Sequence, residues 1–234
     1  MIQTDRMKTI IDCVPKSHTV ADIGADHGYV SASLIEKGIA KYVIASDISP
    51  NSLKKTQGLI RQRGLEDYIA TRMGYGLSVL AEHEADTAII AGLGGVLISE
   101  ILDRDIHIAK TIDTFILQPM QWVRPLREYL FNNGYKIDDE RLVYEGEDKY
   151  YVIMKVTHGY VEISDDMYYY LGEKLIKNRC NLLLGYILHK IKLREHVLKG
   201  LAKSKDKKEI KLKKTRLEGE VIRLKEVFDE VSKD

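Results

Sequence analysis

The sequence predicts an α/β fold, in which a doubly wound, mainly parallel sheet ends in an antiparallel hairpin and is followed by a pair of long helices. Three observations predict it. From about residue 15 to residue 157, short apolar runs alternate with amphipathic stretches. Two β-rich runs close that region, and after Gly159 the pattern changes to long helical stretches. Strands and helices in alternation imply right-handed crossovers and therefore parallel strands.

The alternating region contains five predicted strands separated by amphipathic helical segments. The strands cover residues 19–23, 42–46, 69–73, 87–91 and 114–117. The helical segments lie near residues 29–37, 50–63, 96–102 and 123–132. Gly38, Gly64 and Gly134 each follow a helical segment, at the position where glycine commonly ends a helix. Two further β-rich runs, 136–144 and 149–157, flank a turn-like Gly-Glu-Asp segment and predict the hairpin.

Two long helices are predicted over residues 164–203 and 206–232, with a turn near 200–206. In the second, apolar residues recur every seven positions, and the first keeps a similar spacing that Arg194 interrupts. This pattern indicates a helical hairpin or short coiled coil. The alternative, that these leucines only pack onto the preceding sheet, stays open. We divide the chain into a sheet domain over 1–160 and a helical domain over 161–234.

Composition excludes several classes of protein. The 234 residues carry 36 Lys and Arg against 35 Asp and Glu, and 44% are hydrophobic, as in ordinary globular proteins. No stretch approaches the roughly eighteen apolar residues of a membrane span, and the first residues do not resemble a secretory signal. Cys13 and Cys180 lie far apart, and no His, Cys or Asp cluster has the spacing of metal ligands. We expect a cytoplasmic protein without a metal.

A turn suited to a nucleotide-type cofactor follows the first strand. Asp22, Gly24 and Gly28 lie between that strand and the next helix. Gly24 allows a tight turn and close approach of a ligand, and the helix N-terminus offers free N–H groups. Asp26 occupies the middle glycine position of the dinucleotide-binding pattern, and a carboxylate there disfavours a pyrophosphate. S-adenosyl-L-methionine carries an ammonium and a sulfonium and tolerates that carboxylate.

Further candidate segments follow each later strand. Asp47 closes the second strand, where an acid can accept hydrogen bonds from ribose hydroxyls. Residues 73–76, 91–95 and 118–120 follow the third, fourth and fifth strands. The carboxyl ends of parallel strands meet at one edge of an open sheet, where α/β proteins bind ligands. We therefore predict one site at this edge.

Six segments resemble the bacterial tRNA (adenine-22-N1)-methyltransferase family, often called TrmK. They read ADIGADHGY, IASDISP, GYGLSVL, AGLGG, FILQPM and YEGEDKYYVIMKV. The resemblance covers the whole chain, because that family joins a class I, Rossmann-like methyltransferase domain to a helical coiled-coil domain. It implies methyl transfer from S-adenosyl-L-methionine to N1 of an adenine in the tRNA D-loop. The catalytic domain would cover 1–160, and 161–234 would bind tRNA.

The reaction suggests roles for individual residues. Adenine N1 already has a lone pair, so no base is needed, but a carboxylate would stabilise the positive charge that appears on the ring. We assign this role to Asp26, whose alternative role is to cap the following helix. Gln118 is expected to hold the base edge through its amide. The expected cofactor-binding residues are Asp22, Gly24, His27, Gly28, Tyr29, Asp47, Ile48, Gly74, Tyr75, Gly76, Gly92, Leu93 and Gly94.

The chain departs from the family pattern at three of these loops. Tyr75 replaces an acid in Gly-Asp-Gly, Leu93 replaces a methionine, and Met120 replaces the asparagine of Gln-Pro-Asn. Tyr75 can stack on an adenine but cannot accept the hydrogen bond that the acid would. Met120 leaves the last position without the family's side chain.

The even overall charge conceals a strong asymmetry along the chain. Residues 1–173 carry 18 basic and 26 acidic residues, whereas residues 174–216 carry 15 basic and three acidic ones. A basic extension on an acidic body suits contact with the phosphates of tRNA. The candidate phosphate contacts are Lys190, Lys192, Arg194, Lys199, Lys203, Lys205, Lys207, Lys208 and Lys211. Alternatively, this is a solvated helix face.

Two other functions stay open. One is a non-catalytic RNA-binding protein with a cofactor-like fold. The other is a methyltransferase for a non-RNA substrate, with the helical hairpin used for dimerisation. We favour a monomer. The acidic run over 138–140 is expected to be a solvated loop or cap.

Overall fold

The computed structural model of the chain describes residues 4–202 and 208–233. Its seven strands are β1 Ser17–Ile23, β2 Ala40–Asp47, β3 Ile69–Met73, β4 Thr87–Gly94, β5 Thr114–Gln121, β6 Tyr135–Tyr144 and β7 Tyr150–His158. They form one sheet in the order β3-β2-β1-β4-β5-β7-β6. Strands β1 to β5 pair in parallel, while β7 is antiparallel to both β5 and β6. The predicted parallel sheet ending in a hairpin is confirmed.

Helices lie on both faces of this sheet. They are α1 Asp5–Cys13, α2 Tyr29–Glu36, α3 Pro50–Arg63, α4 Gly95–Arg104, α5 Ile106–Ala109, α6 Val123–Asn132, α7 Met167–Leu171, α8 Glu173–Lys177, α9 Leu183–Leu201 and α10 Lys208–Ser232. The predicted segments 50–63 and 123–132 coincide with α3 and α6. Helix α3 starts with Ser49 as its N-cap and Pro50 in the first turn, and it ends at the left-handed Gly64.

The central strands are buried on both sides. Along β5, Phe115 and Leu117 pack into one apolar cluster, while Ile116 between them packs into the other. This alternation follows from the two-residue period of a strand. Helices α1 to α3 cover one face, and α4 to α6 cover the other. The chain reverses direction across the sheet between the neighbouring strands β1 and β4, so a crevice opens at their carboxyl ends.

The prediction of one continuous helix over 164–203 is wrong. The segment forms α7, α8 and α9, with breaks at Gly172 and Arg179, which both have positive φ. At Gly172 a Cβ atom would overlap the Glu140 carboxylate and lie 2.7 Å from Arg127 Nη2. The chain bends there because it passes directly over a buried ion pair, which the leucine spacing does not reveal.

That ion pair joins Arg127 of α6 to Glu140 of β6. Arg127 Nη2 lies 2.6 Å from Glu140 Oε1, and both side chains are almost fully buried. Arg127 also donates to the carbonyls of Tyr169 and Leu171 at 3.1 and 3.2 Å. The expectation that Glu140 is solvated is therefore wrong. Its carboxylate is paired with an arginine that attaches the C-terminal helices to the sheet.

Helices α9 and α10 pack against each other as the predicted helical hairpin. Val221, Leu224 and Val227 of α10 belong to the same apolar cluster as Ile187 and Ile191 of α9. That cluster also includes the sheet face that α4 to α6 cover. The division into domains at residue 160 stays a prediction, since this core is continuous across it. Within the described ranges, every helix is too short or too polar to cross a bilayer.

Candidate active site

A cavity of about 630 Å³ opens at the carboxyl ends of the parallel strands. Its walls come from the loops after β1, β2 and β3, from the carboxyl-end residues of the strands, and from α1, α2 and α4. Eleven of the residues predicted to bind cofactor contribute to it: Asp22, Gly24, His27, Tyr29, Asp47, Ile48, Gly74, Tyr75, Gly76, Gly92 and Leu93. Asp26 and Gln118 line it as well. The structure thus brings the five segments together in one cavity.

The turn after β1 is fixed by the neighbouring strand. The N–H groups of Gly24 and Ala25 both donate to the carbonyl of Ser46, at 2.8 and 2.9 Å. Gly24 has a φ of +77°, which favours glycine, and no atom lies within 4 Å of where its Cβ would be. Because those two N–H groups are already used, the turn does not offer them to a phosphate.

Asp22 is a buried carboxylate in the cavity wall. Its Oδ2 atom accepts a hydrogen bond of 2.6 Å from Ser31 Oγ, and the side chain is only 5% exposed. Burial raises the pKa of Asp22 to about 6, and the hydrogen bonds from Ser31 only partly offset that effect. Among the described residues no cation pairs with it. A buried carboxylate without a counterion suits a ligand that carries a positive charge.

Asp47, at the end of β2, is held by two backbone amides. Ser49 N–H donates to Oδ1 at 2.8 Å, and Asp26 N–H donates to Oδ2 at 3.2 Å. Each oxygen keeps a second acceptor site. The carboxylate is therefore oriented and can still accept hydrogen bonds from two neighbouring hydroxyl groups. The apolar side chain of Ile48 lies beside it in the cavity wall.

Asp26 lies at the mouth of the cavity. Its carboxylate is 3.4 Å from His27 Nε2 and accepts from Ser52 Oγ at 3.4 Å. Its carbonyl accepts from Thr56 Oγ1 at 2.7 Å, which fixes a backbone with a φ of +47°. Helix α2 has Gly28 as its N-cap and no side-chain cap. The structure thus does not use Asp26 as the cap of that helix.

The buried amide of Gln118 is engaged at both ends. Its Oε1 atom accepts from Gly92 N–H at 3.1 Å, and Nε2 donates to the carbonyl of Pro119 at 3.0 Å. Met120 Sδ lies 3.7 Å from the same nitrogen. Gln118 therefore links the carboxyl-end segments of β4 and β5. Its side chain lines the cavity and holds Gly92 in place, so few of its hydrogen-bonding positions are left for a substrate.

Tyr75 enters the cavity wall with one ring face already covered. The guanidinium carbon of Arg104 lies 4.1 Å from the centre of the ring. The Tyr75 carbonyl accepts from Ser78 Oγ at 2.6 Å, in the 3₁₀ turn over Gly76–Val79. Tyr75 is half-buried against the adjoining apolar cluster and still lines the cavity, so it offers aromatic surface to a ligand there.

Two of the residues predicted to bind cofactor, Gly28 and Gly94, lie outside the cavity wall. A Cβ atom on Gly28 would come 2.7 Å from Thr56 Cγ2, so glycine is required there for packing of α2 against α3. Gly94 precedes α4 as its N-cap and pairs with Gln121 of β5. Both glycines shape the loops that form the site.

The N-terminal helix contributes part of the wall that sequence reasoning missed. Arg6, Met7 and Ile10 of α1 all line the cavity. Thr4 caps this helix by accepting from Met7 N–H at 3.3 Å, and Ile10 is buried against the sheet. The amphipathic pattern of the first residues was the available signal. It shows a helix but not the place where the helix packs.

The predicted phosphate-contacting residues have different environments. Arg194 is paired with Glu220 at 2.7 Å, and its side chain is only 16% exposed. Lys192 and Lys199 are exposed on α9, although Lys192 Nζ lies 3.2 Å from Asp148 Oδ2. Lys190 lies over the ring of Tyr186. Lys208 and Lys211 are exposed on α10, and Lys203, Lys205 and Lys207 lie outside the described residues.

Sequence comparison then assigns a family. Residues 3–154 match the family described as a methyltransferase domain. The chain belongs to this methyltransferase family. The match covers the whole cavity wall and all of the sheet except the last four residues of β7, so the cavity is the candidate active site of the methyltransferase domain.

Relatives of this methyltransferase extend beyond that domain. The tRNA (adenine(22)-N(1))-methyltransferase of Bacillus subtilis (strain 168) is 28% identical over 229 residues, which cover 96% of each chain. The crystal structure of the B. subtilis M1A22 tRNA methyltransferase TrmK has a TM-score of 0.88 at 27% identity, over 97% of this chain and 99% of that one. M. capricolum TrmK, solved with S-adenosyl-homocysteine, shares the fold with a TM-score of 0.84 at 23% identity, over 98% and 99% of the two chains.

Metal ligands are not grouped in this structure. Within the described ranges, His, Cys, Asp and Glu side chains form no group of three or more that could hold an ion.

Proposed function

We propose that the chain methylates N1 of adenine 22 in the D-loop of tRNA, with S-adenosyl-L-methionine as the methyl donor. The observation that carries this proposal is the full-length match to the B. subtilis enzyme of that activity. Methyltransferase domains act on many substrates, whereas this match includes the C-terminal helices as well as the sheet. The charge asymmetry supports an RNA substrate, and a tRNA-modifying enzyme is expected in the cytoplasm.

The residues of the cavity fit the proposed cofactor. Asp22 supplies a buried carboxylate for an ammonium, and Asp47 supplies two oriented oxygens for the ribose hydroxyls. Ile48 and Tyr75 supply apolar surface for a purine. The left-handed Gly24 and Gly92 leave the space of a side chain empty. When bound, S-adenosyl-L-methionine supplies an activated methyl group on a sulfonium.

The protein must then present the adenine correctly. N1 lies on the Watson–Crick edge, so the adenine has to be unpaired and turned into the cavity. Holding N1 in line with the methyl group lowers the barrier by removing orientational freedom. Gly92, at the end of β4, lines the cavity and is held in place by its hydrogen bond to Gln118.

Asp26 is placed to stabilise the product. Methylation at N1 leaves a positive charge on the adenine ring, and a carboxylate nearby favours that charge. Asp26 N–H donates to Asp47 and its carbonyl accepts from Thr56, which holds the backbone in place, while the carboxylate lies at the cavity mouth. In this proposal Asp26 acts on charge and transfers no proton.

The proposal is tested by methyl transfer to defined transcripts. We expect the protein to transfer about one methyl group per unmodified tRNA that has adenine at position 22. A transcript with guanine at that position should accept none. Equal transfer to both transcripts, or to neither, would contradict the proposal.

A further inference from the structure

Trp122 is the one tryptophan of the chain, and it lies in an unusual place. It follows β5 directly and precedes α6, with a left-handed φ of +60° and 60% of its surface exposed. A bulky residue with positive φ is a conformational outlier, and such residues cluster at functional sites.

The position of Trp122 is fixed by close packing of its backbone. A Cβ atom on Gly95, the first residue of α4, would overlap the Trp122 carbonyl and come 3.1 Å from the carbonyl of Gln121. Gly94 pairs with Gln121 across β4 and β5. The backbone that carries the ring is therefore packed closely against the junction of β4 and α4.

The ring lies beside the mouth of the cavity. Trp122 Cδ1 lies 4.0 Å from where the Cβ of Gly94 would be, and Leu93 and Gln118 on the same two strands line the cavity. Trp122 itself is not part of the wall. It thus stands just outside the opening, where the part of a large substrate that does not enter the cavity must lie.

The surroundings of Trp122 are apolar and cationic. Met120 and Val96 are 44% and 43% exposed at the same edge. Arg6 donates to Met120 Sδ at 3.0 Å and lies over the Tyr151 ring at 4.8 Å, and among the described residues its guanidinium makes no ion pair. Exposed aromatic rings beside unpaired cations are the surface that binds single-stranded RNA, through stacking and phosphate contact.

We propose that Trp122 stacks on an unpaired base that neighbours the reacting adenine in the tRNA. This inference rests on the proposed function. The reacting adenine has to enter the cavity, so a ring outside the mouth is placed for its neighbour. Stacking on a fixed ring would hold the D-loop of the tRNA open and select an adenine in a single-stranded context. Arg6, which contacts Met120, is placed for the intervening phosphate.

Tryptophan fluorescence tests the contact directly, because no second tryptophan contributes. The full chain, saturated with S-adenosyl-homocysteine, is titrated with unmodified tRNA. We expect saturable quenching whose midpoint equals the Kd from filter binding. N-acetyltryptophanamide under the same titration corrects for absorption by the RNA. Unchanged emission at tRNA concentrations that saturate filter binding would overturn the proposal and leave the ring as a candidate protein contact.

Two substitutions test the role of the ring in catalysis. Trp122→Ala should raise KM for tRNA about tenfold or more, the usual cost of losing one stacked base, with little change in kcat or in cofactor Kd. Trp122→Phe keeps a flat ring and should stay within about threefold of the wild type. Tyr68→Ala is the matched control, because Tyr68 is 48% exposed just before β3, at the opposite edge of the sheet.

The outcomes separate this inference from the proposed function. If the wild type methylates tRNA and Trp122→Ala keeps its KM, the stacking role alone is wrong. If the wild type does not methylate tRNA, the proposed function is wrong and the inference is overturned with it. Should Trp122→Ala fail to fold, the wild-type titration and Trp122→Phe still decide the question.

Discussion

At the scale of single residues, Asp22 and Asp26 illustrate how one turn produces two kinds of carboxylate. Asp22 is buried with Ser31 as its hydrogen-bond donor, and burial raises its pKa to about 6. Asp26 is exposed at the cavity mouth, beside His27 and Ser52. The first suits a permanent positive charge brought by a ligand, and the second suits a charge that appears on the substrate during the reaction.

The raised pKa of Asp22 makes stability depend on pH. Between about pH 4 and about pH 6 the unfolded chain loses this proton while the folded chain keeps it, so stability falls as pH rises. At neutral pH the cost is about 3 kcal/mol. Asp22→Asn should therefore raise Tm at pH 7.5 and leave Tm near the wild-type value at about pH 4. Scanning calorimetry at both pH values checks this, with the exposed Asp67→Asn as control.

The same substitution should weaken cofactor binding. The amide of the Asp22→Asn variant carries no charge to pair with an ammonium, so the Kd for S-adenosyl-L-methionine should rise at neutral pH. For the wild type, the Kd should rise about tenfold per pH unit below about pH 6, where Asp22 holds its proton before binding. Calorimetric titration measures both. A wild-type Kd that stays constant from pH 7 to pH 5 would contradict the role given to Asp22.

Asp26→Asn tests the role in product stabilisation. The amide keeps the size of the side chain and can still accept from Ser52, but it removes the charge. We expect kcat to fall about 10- to 100-fold with an unchanged cofactor Kd, because the lost interaction develops only as the ring becomes charged. Single-turnover methylation of tRNA gives the rate. Normal turnover by this variant would remove Asp26 from the mechanism.

At the scale of elements, the sequence predicted the strands and helices whose signals are local. The α3 bounds were exact because Ser49, Pro50 and Gly64 mark its ends. The break between α7 and α8 was missed, since it arises from a contact with the distant pair Arg127 and Glu140. The cavity loops were predicted because parallel strands end at one edge. The wall from α1 was missed because nothing in its sequence shows where it docks.

Gly172→Ala tests the joint between the sheet and the C-terminal helices. Its φ of +100° and the nearby Glu140 carboxylate leave no room for a methyl group, so we expect a loss of more than about 3 kcal/mol in the free energy of unfolding. Gly219→Ala is the control: it lies within α10 with no atom near its Cβ position, and should gain up to about 1 kcal/mol. Urea unfolding measures both. Similar stability of the two variants would contradict the packing described.

Arg194 has a structural role within the helical hairpin, because it pairs α9 with α10. Burial disfavours the charge on Glu220, but its hydrogen bonds with Arg194, Tyr170 and Arg216 outweigh this and lower the Glu220 pKa. The arginine that interrupts the leucine spacing therefore pairs across α9 and α10, where a polar pair can fix the register of two helices. This use leaves Arg194 less available to a phosphate than the exposed lysines around it.

At the scale of the whole molecule, the near-zero net charge combines an acidic sheet region with a basic helical extension. Because α9 and α10 share the core of the sheet, deleting residues 164–234 would expose that core rather than remove an independent domain. The contribution of the extension to tRNA binding is better tested by neutralising its exposed charges while the full chain is kept.

Salt dependence measures that contribution. Each phosphate contact that is lost lowers the slope of log K against log salt concentration by about 0.7 to 0.9. Neutralising Lys192, Lys199 and Lys208 to glutamine should therefore lower the slope by about 2 and weaken tRNA binding. The matched control neutralises Lys16, Lys41 and Lys110, which are exposed near the amino ends of the strands. Equal slopes for both triple variants would show that the extension is only a solvated face.

The identity and position of the methylated nucleoside decide whether the protein has the proposed activity. The full chain is incubated with S-adenosyl-L-methionine and unmodified tRNA, and the RNA is then digested and mapped by mass spectrometry. We predict 1-methyladenosine at position 22 of the tRNA and at no other position. Methylation of another base or another atom of adenine, or no methylation by a protein that binds the cofactor, would contradict it.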